Sequence, residues 1–153
     1  MDDPFQLRRF EIAQEEGGSY ESAVSELRRG RKVSHWMWFV FPQIAGLGRS
    51  EMSSTYSIAS PAEAEAYLRH PVLGARLIEC AGILASLGGR TAEEIFGATD
   101  AMKLRSCMTL FASVAEDGSP FRRVLDHYFD GVGDPVTERL LERPGHHGGG
   151  GRL

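Results

Sequence analysis

The stretch SHWMWFVFPQ, residues 34–43, offers more apolar area for burial than any other ten residues of this chain. It contains both tryptophans of the protein, with Phe39 and Phe41 beside them. Each of these aromatic side chains hides roughly 150–250 Å² when it is buried. Polar residues lie at both ends, His35 near the start and Gln43 at the end. We therefore expect the stretch to form the centre of the core or to line a pocket.

The local structure of this stretch is ambiguous from its pattern. Apolar residues fill all six positions of 36–41, so a strand would be apolar on both faces, and a short buried helix fits equally well. No partner strand is indicated elsewhere, which favours a helix or turn that Pro42 ends. Residues 44–59 combine a glycine loop, one or two helical turns and a brief extended segment at 57–59. The pattern leaves the structure of 34–59 undecided.

Helix start signals occur on both sides of the stretch. Four pairs place a capping residue before a proline at the first helical position: Asp3-Pro4, Ser60-Pro61, Ser119-Pro120 and Asp134-Pro135. Thr91 and Glu94 form a capping box for one further helix, Thr99 or Asp100 caps the next, and glycine ends most segments. With apolar residues at helical spacing, these signals predict the following helices: 5–16, 20–29, 61–69, 71–87, 92–96, 101–115, 120–129 and 136–141.

The helix pattern predicts an all-α protein. We expect a single compact domain over residues 1–142, with about seven or eight short-to-medium helices in an irregular orthogonal array. The remaining segment, 143–153, reads RPGHHGGGGRL and contains five glycines and one apolar residue. Such a segment cannot repay the entropy of ordering, so a disordered Gly/His tail is predicted there.

Composition narrows the possible partners. The chain has 153 residues and a net charge of −4, so electrostatics do not indicate a nucleic-acid partner. No signal peptide and no apolar run long enough to span a bilayer is visible, and no membrane partner is predicted. Cys80 and Cys107 form no CxxC pair, which indicates buried free thiols in a reducing, cytoplasmic setting. The protein partner and the oligomeric state stay undetermined.

The chain carries no motif that names a reaction. It lacks the nucleophile elbow, the zinc-protease helix, the phosphate-binding loop and the calcium loop. The glycines of residues 46–48 lack the remaining features of a dinucleotide fingerprint. No cofactor and no metal are therefore predicted, and whether the protein is an enzyme stays open.

A candidate ligand site follows from charge. Lys103 and Arg105 come near the predicted start of a helix, where cations oppose the helix dipole and need an acidic residue or a bound anion. The aromatic stretch supplies a surface for a planar group. We predict that the two segments meet around a cavity of at least ~300 Å³. The candidate ligand-binding residues are His35, Trp36, Trp38, Gln43, Lys103 and Arg105.

Four blocks of the chain resemble an uncharacterised bacterial family, a domain of unknown function. They are GRKVSHWMWFVFPQIAGLGRSEMS (30–53), AYLRHPVLGARLIEC (66–80), AEEIFG (92–97) and DAMKLRSCMTLF (100–111). The resemblance implies a mainly helical fold and no settled activity. Members are sometimes mislabelled calpastatin, a disordered, repeat-built inhibitor whose pattern this chain lacks. Members usually have serine where Cys107 stands, so the resemblance predicts no essential hydroxyl at that position.

Two functions are consistent with these observations. The first is a binding or interaction module without catalysis. The second is an enzyme or sensor for a nucleotide-like or other anionic small molecule, since KLRSCM (103–108) is loosely similar to N-glycosidases of ADP-ribose-type substrates. No glutamate is identifiable as the catalytic acid of such an enzyme. The exposure of Trp36 and Trp38 separates the two, because an open aromatic pocket beside Lys103 or Arg105 favours a ligand.

Overall fold

Short polar side chains set several helix boundaries in the computed structural model of the protein, which describes residues 3–48 and 50–142. Ser60 and Ser119 each accept a hydrogen bond from the backbone N–H of the third residue of the helix that follows. Thr91 and Glu94 form a reciprocal capping box. These three predicted helix starts are confirmed.

The helices occupy most of the described residues. In chain order they are α1 (Arg8–Glu15), α2 (Ser19–Arg29), α3 (Met37–Val40), α4 (Glu51–Thr55), α5 (Pro61–Arg69), α6 (Leu73–Ser86), α7 (Ala92–Val114), α8 (Pro120–Phe129) and α9 (Pro135–Glu142). A 3₁₀ turn over Glu16–Gly18 joins α1 to α2. Between residues 3 and 142, Arg49 apart, β geometry is limited to one isolated bridge from Ile44 to Ile58. The predicted all-α class is confirmed, and the predicted tail at 143–153 lies outside the described residues.

Two helix starts differ from the prediction. Asp3 does accept the backbone N–H groups of Leu7 and Arg8, but α1 begins only at Arg8 because Gln6 has a positive φ of 54°. Further along, 92–96 and 101–115 were predicted as separate helices. The first helix ends at Gly97 as predicted, since φ 81° and ψ 162° are not helical there, and the second helix follows directly; the label α7 covers both. Thr99 and Asp100 therefore lie inside the helix and do not cap it.

The core is built around α7. This helix packs against α5, α8 and α9, while α6 packs against α8, α5 and α2. At the centre, the Phe111 ring lies 5.3 Å from the ring of Tyr67 and 5.9 Å from that of Phe121. All three side chains are buried, and each such burial contributes about 1.5–3 kcal/mol. Cys80 and Cys107 are buried free thiols, as predicted.

The aromatic stretch forms a turn followed by the single helical turn α3. Trp36, Phe39 and Phe41 are buried, whereas Trp38 stays partly exposed. After Pro42 the chain is briefly extended: Ile58 donates its backbone N–H to the Gln43 carbonyl at 2.8 Å. The predicted helix or turn, and the extended segment near 57–59, are both observed.

A buried carboxylate fixes the start of the stretch. Glu26 of α2 is only 4% exposed and accepts hydrogen bonds from Val33 N–H, Ser34 N–H and hydroxyl, and the Trp36 indole N–H at 2.6–2.9 Å. Burial by itself raises the pKa of the Glu26 carboxyl, but the bonds from Ser34, Val33 and Trp36 outweigh it and lower the pKa to about 2. The indole of Trp36 is thereby anchored in the core.

Candidate functional site

A cavity of about 370 Å³ lies between α7, the loop at 43–48 and the start of α9. Four residues of α7 line it at the spacing of one helix face: Thr99, Met102, Lys103 and Ser106. The volume falls at the lower end of the range for small-molecule sites, about 300–1,000 Å³. The cavity is thus large enough for a compact ligand.

Trp38 forms the wall opposite α7, together with Gln43 and Leu47. The ammonium of Lys103 lies 4.2 Å from the centroid of the Trp38 ring, within the range of a cation–π interaction. The neighbouring indole of Trp36 points elsewhere, because Glu26 holds it in the core. The aromatic stretch therefore places one tryptophan in the core and one at the cavity.

Lys103 belongs to a small charge network. Its Nζ lies 3.0 Å from Asp100 Oδ1, and Lys32 Nζ lies 3.0 Å from Asp100 Oδ2. Burial raises the pKa of Asp100, but the two lysines outweigh burial and lower it. An acidic residue therefore compensates the charge of Lys103, as one of the two expected alternatives. Because two lysines share the one carboxylate of Asp100, the network keeps a net charge of +1.

Several polar groups of the lining lack a partner. Ser106 is only 5% exposed, yet its hydroxyl makes no hydrogen bond within residues 3–48 and 50–142. The indole N–H of Trp38 and the side-chain amide of Gln43 also make no hydrogen bond within these described residues. A buried hydroxyl without a partner costs about 1–3 kcal/mol. A water or ligand in the cavity would satisfy it.

Asp134 supplies the negative side of the cavity. Its Oδ2 accepts hydrogen bonds from the Thr137 backbone N–H at 2.8 Å and the Thr137 hydroxyl at 2.7 Å, which caps α9. Its own N–H donates to the Thr109 hydroxyl at 2.8 Å. These bonds hold the carboxylate rigidly. Among the described lining residues, Asp134 is the one acidic group and Lys103 the one basic group.

The structure brings together three of the six predicted site residues. Trp38, Gln43 and Lys103 line the same cavity. The prediction is corrected for the other three, which do not line it. Trp36 is 1% exposed and bonded to Glu26, so no planar ligand can stack on it, and His35 is exposed outside the cavity.

Arg105 also lies away from the cavity. Its Nε donates to the Val132 carbonyl at 3.0 Å, and its guanidinium lies 5.7 Å from the Phe129 ring. Residue 105 sits two positions after Lys103, and a helix turns such neighbours to different sides. Lys103 and Arg105 are both close to the predicted helix start in the sequence, but they do not lie in one site.

The sequence missed Asp134 as a lining residue and the link between Lys32 and Asp100. Asp134 was recognised only as a helix cap, which it is. No local sequence signal relates Asp134 to Lys103. The two residues line one cavity because α9 packs against α7. The spacing of Thr99, Lys103 and Ser106 on one helix face was the available signal for the α7 side.

A wider groove of about 470 Å³ lies along α2, and three of the polar side chains that line it are paired with one another. The Tyr20 hydroxyl donates to Glu79, and Arg28 lies 3.6 Å from the same carboxylate. We therefore take the cavity beside Trp38 as the candidate site.

Comparison with known proteins gives a family. Residues 4–141 match the family described as "Protein of unknown function (DUF1810)". The chain belongs to the DUF1810 family. This DUF1810 protein is similar to the conserved hypothetical protein Rv1873 from Mycobacterium tuberculosis, whose crystal structure is known. The two are 50% identical, with a TM-score of 0.88, over 92% of this chain and 99% of the other. The predicted membership of an uncharacterised, mainly helical family is confirmed.

The remaining comparisons assign no activity to the DUF1810 protein. No curated protein matches its sequence. In the part of the chain that the structure describes, no helix is both long and apolar enough to cross a bilayer. Over the same residues, no group of three or more histidine, cysteine, aspartate or glutamate side chains is placed to hold a metal ion.

Proposed function

We propose that this protein is a binding module for a small anionic molecule, held in the cavity between Trp38 and Lys103. The observation that carries the proposal is the juxtaposition of Lys103, placed over the Trp38 ring, with the buried, unpartnered hydroxyl of Ser106. Together they form a cluster of donors in a partly apolar cavity. Such a combination is typical of ligand sites.

Lys103 is suited to bind an oxyanion. An ammonium group has three N–H donors, and Lys103 gives one of them to Asp100 at 3.0 Å. The other donors have no acceptor among the described residues. A hydrogen bond to a charged group contributes about 1.5–3 kcal/mol. Ser106 and the Gln43 amide add neutral donors, and Leu47 gives the ligand an apolar contact.

The lining favours binding over the N-glycosidase-like alternative. That chemistry needs a carboxyl group free to act on the substrate. Asp134 is the acidic group of the described lining, and its Oδ2 already caps α9. Ser106 has no hydrogen-bonded base in the described chain that could activate it.

We also propose a reducing, cytoplasmic location, supported by the free, buried thiols of Cys80 and Cys107.

A thermal-shift screen with a matched pair of variants tests the proposal. Small carboxylates, phosphates and nucleotides are added to the wild type, to Lys103→Met and to Arg105→Met. A ligand at 100 times its Kd stabilises the protein by about 2.7 kcal/mol. We expect at least one anion to raise the Tm of the wild type and of Arg105→Met, and to leave Lys103→Met unchanged.

The two variants remove the same charge from the same helix, but only Lys103 lines the cavity. Equal shifts in both variants would show that the anion binds elsewhere and would overturn the proposal. So would the absence of a shift with every anion.

A further inference from the structure

The described residues give the candidate site little charge. The protein has two lysines, and both lie on the single carboxylate of Asp100. Lys32 is almost buried, donates to the Ser34 carbonyl at 2.7 Å and lies 5.2 Å from the Trp36 ring, so it does not reach the cavity. In the described chain, Lys103 therefore faces the ligand as the single positive charge, and Asp100 neutralises part of it.

Asp134 opposes a second negative charge on the ligand. It lines the same cavity as Lys103, and its position is fixed by the bonds to Thr137 and Thr109. A ligand with one anionic group can turn that group toward Lys103 and away from Asp134. A ligand with two or more must place negative charge near the carboxylate, where repulsion is strong in a partly water-excluded space.

Part of the lining is apolar, and two of these apolar side chains are exposed. Met102 is 67% exposed and Val136 is 41% exposed, and both border the cavity beside Leu47. An apolar ligand that covers these side chains removes their surface from water, which favours binding. The unbranched Met102 adapts to different shapes. This border matches an apolar body better than a ribose or a chain of phosphates.

We infer that the ligand is a small monocarboxylate with an apolar body, and that Asp134 is the residue that excludes dianions and polyphosphates. The inference rests on the proposed function and narrows it. The carboxylate binds Lys103 and the hydroxyl of Ser106, while the body lies against Leu47, Met102 and Val136. Lys103 by itself could bind a nucleotide phosphate. Asp134 disfavours nucleotides because they carry more than one negative charge.

Two probes with the same body test the inference: phenylacetate has one carboxylate and phenylmalonate has two. Their affinities are measured by isothermal titration calorimetry at pH 7.5, with ADP as a polyphosphate, for the wild type and for Asp134→Asn. Asparagine also caps helices, so this variant keeps α9 in place. Circular dichroism and the Tm verify its fold.

We expect phenylacetate to bind the wild type at least about tenfold more tightly than phenylmalonate or ADP, from the repulsion at Asp134. In Asp134→Asn this ratio should fall several-fold. A merely structural role of Asp134 would weaken both probes equally and leave the ratio unchanged, which would overturn its assignment.

Failure of the inference differs from failure of the proposed function. If ADP or phenylmalonate binds through Lys103 as tightly as phenylacetate, the monoanion inference is wrong and the anion-binding function stands. If none of the three probes binds, and the Lys103→Met protein behaves like the wild type throughout the anion screen, both are wrong.

Discussion

At the residue scale, Glu26 decides which tryptophan belongs to the core. Trp36 and Trp38 are chemically identical and two positions apart, so the sequence pattern gave both the same candidate role. The hydrogen bond from the Trp36 indole to Glu26 buries one ring, and Trp38 is left beside Lys103. Glu26 itself looked like an ordinary helix glutamate, because its partners lie in the following loop.

We expect Glu26→Gln to destabilise the protein by about 3 kcal/mol at pH 7, which is the worth of a carboxyl pKa lowered from 4.5 to about 2. Because the folded-state pKa is the lower one, this contribution is fully present above pH 4.5. It is lost as the pH falls toward 2. Urea unfolding at several pH values measures it.

The matched control is Glu21→Gln, an exposed glutamate on the same helix. It should stay within about 0.5 kcal/mol of the wild type. A Glu26→Gln variant that is equally mild at pH 7, or equally destabilised at pH 7 and pH 2.5, would contradict the role given to this carboxylate.

At the element scale, local signals predicted most helix positions, because caps and glycine stops act within a few residues. The break in α7 shows where such reasoning ends. A glycine followed by possible caps looks like the end of one helix and the later start of another. The first helix does end at Gly97, but the second begins directly after it, before the predicted cap at Thr99 or Asp100. The glycine marked where one helix ends, but the candidate caps did not mark where the next begins.

We expect Gly97→Ala to destabilise the protein by about 1–3 kcal/mol. The added methyl group meets no atom within 4 Å, so the whole cost comes from the backbone conformation. Gly82→Ala in α6 is the control, since its Cβ is equally unobstructed and its backbone lies inside a regular helix. The free energy of unfolding of that variant should rise by about 0.5–1 kcal/mol. Chemical denaturation would contradict this account if both variants changed in the same direction.

At the scale of the whole molecule, the fold class was predictable and the cavity only in part. Helix signals repeat along the chain, so the all-α class did not depend on any one of them. The cavity depends on Trp38, Lys103 and Asp134, which come from three distant segments. Charge and aromatic content identified Trp38, Gln43 and Lys103, but the docking of α9 determined that Asp134 completes the wall.

The two buried thiols report on the stability of the whole molecule. Burial raises the pKa of Cys80 to about 12 and that of Cys107 well above its usual value, so the reactive thiolates are nearly absent at pH 8 in the folded protein. Both cysteines lie in the core, Cys80 on α6 and Cys107 on α7. A thiol reagent can therefore react with these cysteines only after the core has opened.

We expect both cysteines to react with 5,5′-dithiobis(2-nitrobenzoate) at one common rate, because one cooperative opening exposes them together. That rate should rise with urea in parallel with the equilibrium unfolding constant. A ligand of the Trp38–Lys103 cavity should slow both thiols by the same factor, 1 + [L]/Kd, because it binds the folded state alone. Rapid labelling of one cysteine without urea would mean that part of the core opens independently. Slowing of only one cysteine by the ligand would show that the cavity is coupled to a local rather than a global opening.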